Sequence, residues 1–476
     1  MAATFHVENF GCRAARADGE AVGERLRAAG LGGLGPAAAD VVVVNTCSVT
    51  AEADRAARAF IRRAHRLNPE ARIVVTGCYA QRAPDELAVM DGVAAVIGNS
   101  HKALAPEIIL RLAESETRAV PRELVSVQSL LSAGASAPIW ADDRFAHSFL
   151  EEAQVVPGTQ TRPNLKIQEG CGNRCTFCVI PQTRGSSRSL PATSVLKQVE
   201  GFVAAGGNEL VLSGINLGRW GRDLAGSMEG ASTPRTLAEL VRQIFERTSL
   251  SRLRLSSIEP MDWDAELIGL MAEFGGTRLA RHAHLPLQSG SDAVLRRMHR
   301  RYRPWHYAEK VAALVQAAGP ELTLGADVMV GFPGESDIEF EETMVFIRAL
   351  PVGYLHLFPF SPRPRTPGWT LHAERPVSAR TVEERMAALR ALALEKSAAH
   401  RTSFIGREIE AITLHTPAEI AVRGRTAALT ENFLPVELEG RLDANRLVRL
   451  RVTWLNTAAS LEAQETTPEP APAVSL

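Results

Sequence analysis

Residues Glu169–Ser189 read EGCGNRCTFCVIPQTRGSSRS and hold three of the chain's six cysteines, Cys171, Cys175 and Cys178, spaced C-x3-C-x2-C. The run follows a strand-like segment, NLKIQE. A reactive loop directly after a strand is the habit of parallel α/β folds, whose working loops lie at the carboxyl edge. Further strand signals recur downstream in NELVLSGIN, RLRLSSIEP, HAHLPLQSGS, LTLGADVMVGFPGE and GYLHLFPFSP. Helical patterns separate them at Ser194–Ala205, Leu237–Thr248, Ala265–Phe274, Asp292–His299, Tyr307–Ala318 and Ile338–Leu350. Six strand–helix units predict an α/β fold with a partial (β/α)6 barrel, short of the usual eight.

Upstream, FHVENFGC, VVVVNTC and RIVVTGC each run as a short β-rich segment into a cysteine, at Cys12, Cys47 and Cys78. Helical stretches at Asp18–Ala29 and Ala51–Leu67 lie between them. Parallel strands end at one edge, so these distant cysteines are expected to converge there as a second triad. Three unrelated buried cysteines are the plainer alternative, and recurrence at every strand end speaks against it.

The sequence divides into an N-terminal parallel α/β domain (1–113), a linker (114–158), the barrel (159–385), a β module (400–462) and a disordered tail (463–476). A long helix, Val382–Ala399, leads to the module, where EIEAITLH, AEIAVRGRTAALT, LPVELEG and RLVRLRVTWL predict a small all-β barrel. The Pro-rich end, ETTPEPAPAVSL, is too polar to form a core. Composition is that of an ordinary globular chain, with 45% hydrophobic and 22% charged residues. The absence of a long apolar run and of a leader pattern predicts a cytoplasmic protein with no membrane segment. Thiols stay reduced there, so clustered cysteines point to metal binding or catalysis rather than disulfides. A formal net charge of −1 neither requires nor excludes a nucleic-acid partner, since a local basic patch suffices.

Three thiolates suit three irons of a 4Fe–4S cluster and leave the fourth iron open to a ligand. Gly172 and Asn173 can wrap such a cluster and aim backbone N–H groups at sulfur, and Lys166 and Arg174 can offset its charge. A three-thiolate zinc site is the competing reading, although no histidine sits at zinc-finger spacing from the triad.

The C-x3-C-x2-C loop after the first strand of a six-unit barrel resembles the radical S-adenosylmethionine enzymes. With the N-terminal triad and a C-terminal β module, the chain resembles their methylthiotransferase family from about Thr4 to Leu461. The motifs are NTCSVT (45–50), TGCYAQ (76–81), IPQTRGSSRS (180–189), LSSIEP (255–260), LPLQSGSD (285–292), GADVMVGFPGE (325–335) and FPFSPRPRTP (358–367). GCRAARAD (11–18) and EADRAAR (52–58) resemble the branch that acts on threonylcarbamoyladenosine in tRNA.

The resemblance implies two 4Fe–4S clusters, an auxiliary one on Cys12, Cys47 and Cys78 and a radical one on Cys171, Cys175 and Cys178, the catalytic triad. It implies S-adenosylmethionine as radical source and methyl donor, and a methylthio group added to carbon 2 of the adenine beside the anticodon. It also implies an electron donor such as flavodoxin or ferredoxin, and a TRAM-like RNA-binding module. Sister branches act on isopentenyladenosine or on a ribosomal-protein aspartate. A non-enzymatic iron–sulfur carrier is the alternative from another class, against which incomplete ligation of both clusters speaks. The family's first motif usually has Asn where this chain has Ala15, which predicts altered loop packing.

Ser213, Gly214, Ile215 and Asn216, with Gly206 and Gly207, are expected around the methionyl end of the cofactor; a plain strand-end turn is the alternative. Glu259 is expected to bond the cofactor or shape the pocket. Gly331 and Pro333, in GFPG, are expected to admit the adenine close to the backbone. His282 and His284 share one strand face and read as satisfied core histidines. Arg55, Arg58, Arg62, Arg63 and Arg66 read as a solvated helical face, with tRNA contact as the alternative. Arg184 and Arg188 are expected on a substrate phosphate or the cofactor carboxylate, and Arg423, Arg425, Arg449 and Arg451 on RNA phosphate.

Overall fold

The three valine-rich segments form a parallel sheet because a strand covered by helices on both faces needs apolar residues at every position. The computed structural model describes residues 3–114, 136–147, 161–224, 234–456 and 460–466. The N-terminal sheet contains β1 (Thr4–Asn9), β2 (Gly32–Gly33), β3 (Val41–Thr46), β4 (Arg72–Gly77), β5 (Val93–Gly98) and β6 (Ile139–Trp140). All are parallel, in the order β2-β1-β3-β4-β5-β6. Val42 and Val44 of β3 pack with Phe60 and Ile61 of the helix Ala51–Leu67. Val41 and Val43 pack on the opposite face with Leu26, Ile108 and Ile109. Thr50 caps the helix Ala51–Leu67, its Oγ1 accepting from the Ala53 amide at 3.2 Å.

Strand β6 lies inside the segment expected to be linker. Ile139 and Trp140 pair with β5, so this stretch belongs to the sheet, and two apolar residues in a polar run were too short a pattern to register. Residues 115–135 and 148–158 of that expectation fall outside the described residues.

All six expected barrel strands occur. They are β7 (Asn164–Glu169), then, past a two-residue edge strand β8 (Arg188–Ser189), β9 (Glu209–Gly214), β10 (Arg252–Leu255), β11 (His282–Gln288), β12 (Thr323–Val330) and β13 (Val352–Pro359). They run parallel in two sheets, β10-β9-β7-β8 and β11-β12-β13, with only β8 antiparallel. A parallel bridge from Leu253 to Leu279, just before β11, and the Ile258 amide donating to the His284 carbonyl at 3.0 Å link the two sheets. The helix Arg13–Ala28 of the first domain packs on β7 and β9.

The helix Ala379–Thr402 packs on β13 and leads into a closed barrel of β14 (Glu408–Thr413), β15 (Arg425–Thr430), β16 (Pro435–Glu439), β17 (Leu447–Leu455) and β18 (Leu461–Glu465). Alternation in β17 sends Val448, Leu450 and Val452 inward. Two expectations change here. The barrel extends to Glu465, into the segment expected as tail, because Leu461 and Ala463 bury in its core. Residues Ala418–Ala421 form a short helix rather than part of a strand.

The small barrel seals the amino end of the large one. Arg254, at β10, donates to the Thr430 carbonyl at 3.2 Å, and Arg281 pairs with Glu431 at 2.7 Å. Asn432 donates to the Glu321 carbonyl at 2.8 Å, and Asn208 to the Asn445 carbonyl at 2.8 Å. Phe433 enters between them, its ring 4.4 Å from that of His282.

Candidate active site

The N-terminal triad converges because its strands end level. Asn9 is registered with Asn45, and Thr46 with Gly77. Cys47 and Cys78 follow those ends directly, and Cys12 immediately precedes the helix Arg13–Ala28. Gly11, with φ +102°, touches Cys47 so closely that an added Cβ would lie 2.6 Å from its Sγ. Burial pushes the Cys47 thiol up to about 12, with Cys78 and Cys12 adding to the rise. Asn99 Nδ2 and Arg184 Nε donate to Cys78 Sγ at 3.4 and 3.2 Å.

The second triad lies in the loop after β7. The Asn173 amide donates to Cys171 Sγ at 3.4 Å, as expected of a loop that wraps its ligand. Asn216 Nδ2 reaches the same sulfur at 3.6 Å, while its buried Oδ1 has no partner. Burial pushes the Cys178 thiol up to about 12, with Cys175 and Cys171 also raising it. Arg300 was missed by sequence reading. Its guanidinium donates to Cys175 Sγ at 3.3 Å and to Glu259 at 2.6 Å. The only sequence signal was an arginine in HRRYRP, one among many in an arginine-rich chain.

A buried charge cluster ties the two triads together. Arg184 pairs with Glu169 at 2.6 Å and Asp18 at 3.0 Å. Lys102 pairs with Asp18 at 2.9 Å and Glu169 at 3.0 Å, and Lys166 joins both carboxylates. Burial opposes ionisation of Glu169, yet Arg184 and the two lysines hold its carboxyl well below the usual range. Three cations against two carboxylates leave an excess positive charge beside Cys78. Asp18 comes from the first domain and Glu169 immediately precedes the Cys171 loop, so the cluster spans the domain junction. A second tie is Asp54, held by Arg82 at 3.0 Å and by Arg363 of the FPFSPRPRTP motif at 2.7 Å.

Between the triads lies a cavity of about 480 Å³. It touches Gly11 and Cys12 on one side and Ile180, two residues past Cys178, on another. Its wall is mostly apolar in area, with Val49, Ile180 and Ile215, and carries polar groups from Arg13, Ser213, Ser256, Ser257, His282, His284, Asp327, Tyr354 and His356. His282 Nε2 and His284 Nδ1 both bond the Tyr354 hydroxyl, at 2.8 and 3.0 Å; both rings border the cavity, and His282 Nδ1, unlike the nitrogens of His284, is left without a partner. Asp327 meets His284 at 3.0 Å and His356 at 3.3 Å. Burial raises the Asp327 carboxyl, and the hydrogen bonds from the two histidines outweigh it and hold it below the usual range.

Several expected site residues take other places. Ser213 and Gly214 line the cavity, and Glu259 is oriented by Arg300. Gly331 has φ +73° and packs against Val382, where a Cβ would lie 2.5 Å from Cγ2. Its glycine requirement is thus met by the helix Ala379–Thr402, and Pro333 is buried. Gly206 and Gly207 precede β9, at the amino end, and Gly206 accepts from Asn445. They are therefore far from the carboxyl-edge loops where the cofactor was expected. Arg184 is fully buried and cannot meet a phosphate; its charge serves the internal cluster instead. Arg188 lies over the Phe145 ring at 5.5 Å and lines an open cleft with Arg144 and Arg365. Arg423, Arg425 and Arg451 are held by Glu437 at 2.9 Å, Glu462 at 2.8 Å and Glu408 at 2.7 Å. Ala15 is buried, and its carbonyl accepts from Asn45 Nδ2.

Residues 4–98 match the model of the uncharacterized protein family UPF0004, and residues 165–347 that of the radical SAM superfamily. The threonylcarbamoyladenosine tRNA methylthiotransferase MtaB of Aquifex aeolicus is 35% identical over 87% of this chain and 91% of its own. The chain belongs to the radical S-adenosylmethionine methylthiotransferase family. The tRNA-2-methylthio-N(6)-dimethylallyladenosine synthase of Erythrobacter litoralis is 33% identical, covering 87% of each chain. The fold is shared with the radical S-adenosylmethionine methyltransferase TsrM of Kitasatospora setae, at TM-score 0.52 and 15% identity over 79% of this chain and 78% of that one. As a methylthiotransferase the chain uses S-adenosylmethionine and 4Fe–4S clusters. Its residues fit them, since each triad gathers three thiols and the unpartnered Asn216 Oδ1 stands beside Cys171. Among the described residues, no helix is long and apolar enough to cross a membrane.

Proposed function

We infer that this methylthiotransferase modifies tRNA, adding a methylthio group to carbon 2 of N6-threonylcarbamoyladenosine beside the anticodon. Relatives named for threonylcarbamoyladenosine and for dimethylallyladenosine match it at similar identity, so identity alone does not separate the two substrates. The observation that carries the choice is the cavity wall. A dimethylallyl tail needs no hydrogen-bonding partner, whereas this wall, though mostly apolar in area, offers a guanidinium, three imidazoles, a phenol and three serine hydroxyls beside the Asp327 carboxylate. A threonylcarbamoyl tail, with its ureido, hydroxyl and carboxylate groups, matches such a wall.

Bound at the two triads, the clusters and S-adenosylmethionine supply one-electron chemistry, sulfur and methyl. The protein's own groups bind, orient and exclude water. Cys171, Cys175 and Cys178 hold the radical cluster and Cys12, Cys47 and Cys78 the auxiliary one. Asn216, Glu259, Ser213 and Gly214 bind the cofactor, with Glu259 fixed by Arg300. The cleft bearing Arg144, Arg188 and Arg365 opens beside the Cys178 loop and suits RNA phosphates. A small reduced protein such as flavodoxin or ferredoxin supplies the electron, and a tRNA substrate sets the work in the cytoplasm.

The test is expression in a bacterial host lacking its own threonylcarbamoyladenosine methylthiotransferase, with nucleoside mass spectrometry of total tRNA. A methylthio form of threonylcarbamoyladenosine, absent with Cys175→Ala, is the expected result. A methylthio form of isopentenyladenosine alone would overturn the substrate reading.

A further inference from the structure

Arg13 differs from the other arginines that gather around the barrel interior. Arg162, Arg252 and Arg254 all pair with Glu209, at 3.4, 3.4 and 2.9 Å. Arg13 lines the cavity next to Cys12, and its guanidinium carbon lies 5.4 Å from the centre of the Phe433 ring. Among the described residues no carboxylate pairs with it. The nearby carboxylates are engaged, Asp327 by His284 and His356 and Asp18 by Arg184 and two lysines. Two further cavity-wall groups are buried without a hydrogen-bond partner, Ser256 Oγ and His282 Nδ1. A fixed cation with two unsatisfied polar groups around it describes a site for an anionic, hydroxylated tail.

We propose that Arg13 selects the substrate by receiving the carboxylate of the threonyl group on N6 of the target adenosine. Ser256 and His282 take the remaining polar atoms of that tail. The proposal rests on the tRNA reading above. It fits the chemistry of the base, in which carbon 2 and the carbon bearing N6 both flank N1. A tail folded along that edge lies on the side of the carbon to be modified. The chain places Arg13 directly after Cys12, a ligand of the auxiliary cluster, so carboxylate recognition and sulfur delivery come from adjacent residues. Guanidinium binds carboxylate through paired N–H donors, which makes it selective for this group and not for a hydrocarbon tail. Phe433 lies under the guanidinium and holds its plane.

The test uses reconstituted holoenzyme, as the natural chain and as R13K and R13Q. The substrates are anticodon stem–loops carrying threonylcarbamoyladenosine, the same RNA after carbodiimide treatment has consumed the carboxylate by cyclisation, and the dimethylallyl form. The natural chain is expected to bind and modify the carboxylate RNA about 10- to 100-fold better than the cyclised RNA, the range of a charged hydrogen bond. R13Q is expected to lose that factor on the carboxylate RNA and to treat the two RNAs alike, with R13K between. Iron and sulfide content and RNA-free cleavage of S-adenosylmethionine stay unchanged. Equal handling of the carboxylate RNA by R13Q and the natural chain would overturn the proposal. So would an R13Q loss that is equal on all RNAs. Failure of the natural chain itself on the carboxylate RNA, with turnover of the dimethylallyl RNA, would overturn the functional reading and is visible without any variant.

Discussion

Replacing Arg184 by Met keeps the side-chain length and removes the charge at the centre of the domain junction. Two ion pairs disappear, at 2.6 Å to Glu169 and 3.0 Å to Asp18, together with the 3.2 Å donation to Cys78 Sγ. Breaking a buried pair costs about 3–5 kcal/mol, because the partners remain desolvated. The cost here falls at the low end. Lys102 and Lys166 still balance the two carboxylates, and the excess charge of the five-residue cluster vanishes. We therefore expect a loss of about 3 kcal/mol, or about 6–12 °C for a unit of 150–250 residues. Loss of a positive charge beside Cys78 also disfavours the reduced, more negative state of the auxiliary cluster. Its potential is expected to fall by about 60 mV, a tenfold bias in a one-electron couple. The assay is anaerobic calorimetry together with an EPR redox titration. The titration is done in a Cys171→Ala, Cys175→Ala, Cys178→Ala background, so that only the auxiliary cluster reports. Arg188→Met, at the open cleft, is the control expected to leave both quantities near their starting values. An Arg184→Met protein with unchanged melting temperature and unchanged potential would refute the reasoning.

Gly11→Ala introduces a Cβ 2.6 Å from Cys47 Sγ at φ +102°, so this variant is expected to lose auxiliary iron while keeping the radical cluster; iron analysis checks it. Arg300→Met frees Glu259 and strips a donor from Cys175. It should raise the KM for S-adenosylmethionine about tenfold or more, measured by RNA-free cofactor cleavage. His400, which bonds Thr323 at 2.9 Å, is pulled down to about 4 by burial, with Arg401 and Arg407 adding to the shift. Between that value and the ordinary histidine range the unfolded chain binds the proton and the folded one does not. Stability therefore falls as the pH is lowered through this window, by about 1 kcal/mol near pH 5.5. His400→Gln should flatten that limb in denaturant titrations at pH 5.5 and 7.5, and an unchanged slope would remove His400 as its source.

The strands of both α/β parts were legible because buried parallel strands announce themselves as β-branched runs. The register that levels Asn45, Thr46 and Gly77 then follows from ordinary sheet pairing. Convergence of Cys12, Cys47 and Cys78 was legible for the same reason. The roles of arginines were not. Arg184 and Arg300 act through carboxylates on other elements, and nothing local distinguishes a guanidinium that will be buried in a cluster from one that will face RNA. Gly206 was misread because a glycine turn looks the same at either end of a strand, and only the chain's direction through the barrel tells them apart. The small barrel was expected to bind RNA, yet its Glu431, Asn432 and Phe433 turn inward onto the large barrel.

That inward turn has a consequence for how such chains can be inherited. A domain that merely carried RNA to the enzyme could be exchanged between relatives as a cassette. This one buttresses the wall of the catalytic chamber, with Phe433 packed behind Arg13 and His282. A foreign module would arrive without partners for Arg254, Arg281 and Asn208, and it would leave Arg13 and His282 without the ring on which they rest. A viable recombinant would have to cross over upstream of Arg13, so that Arg13, the amino-edge residues of the large barrel and the loop bearing Phe433 travel as one heritable block.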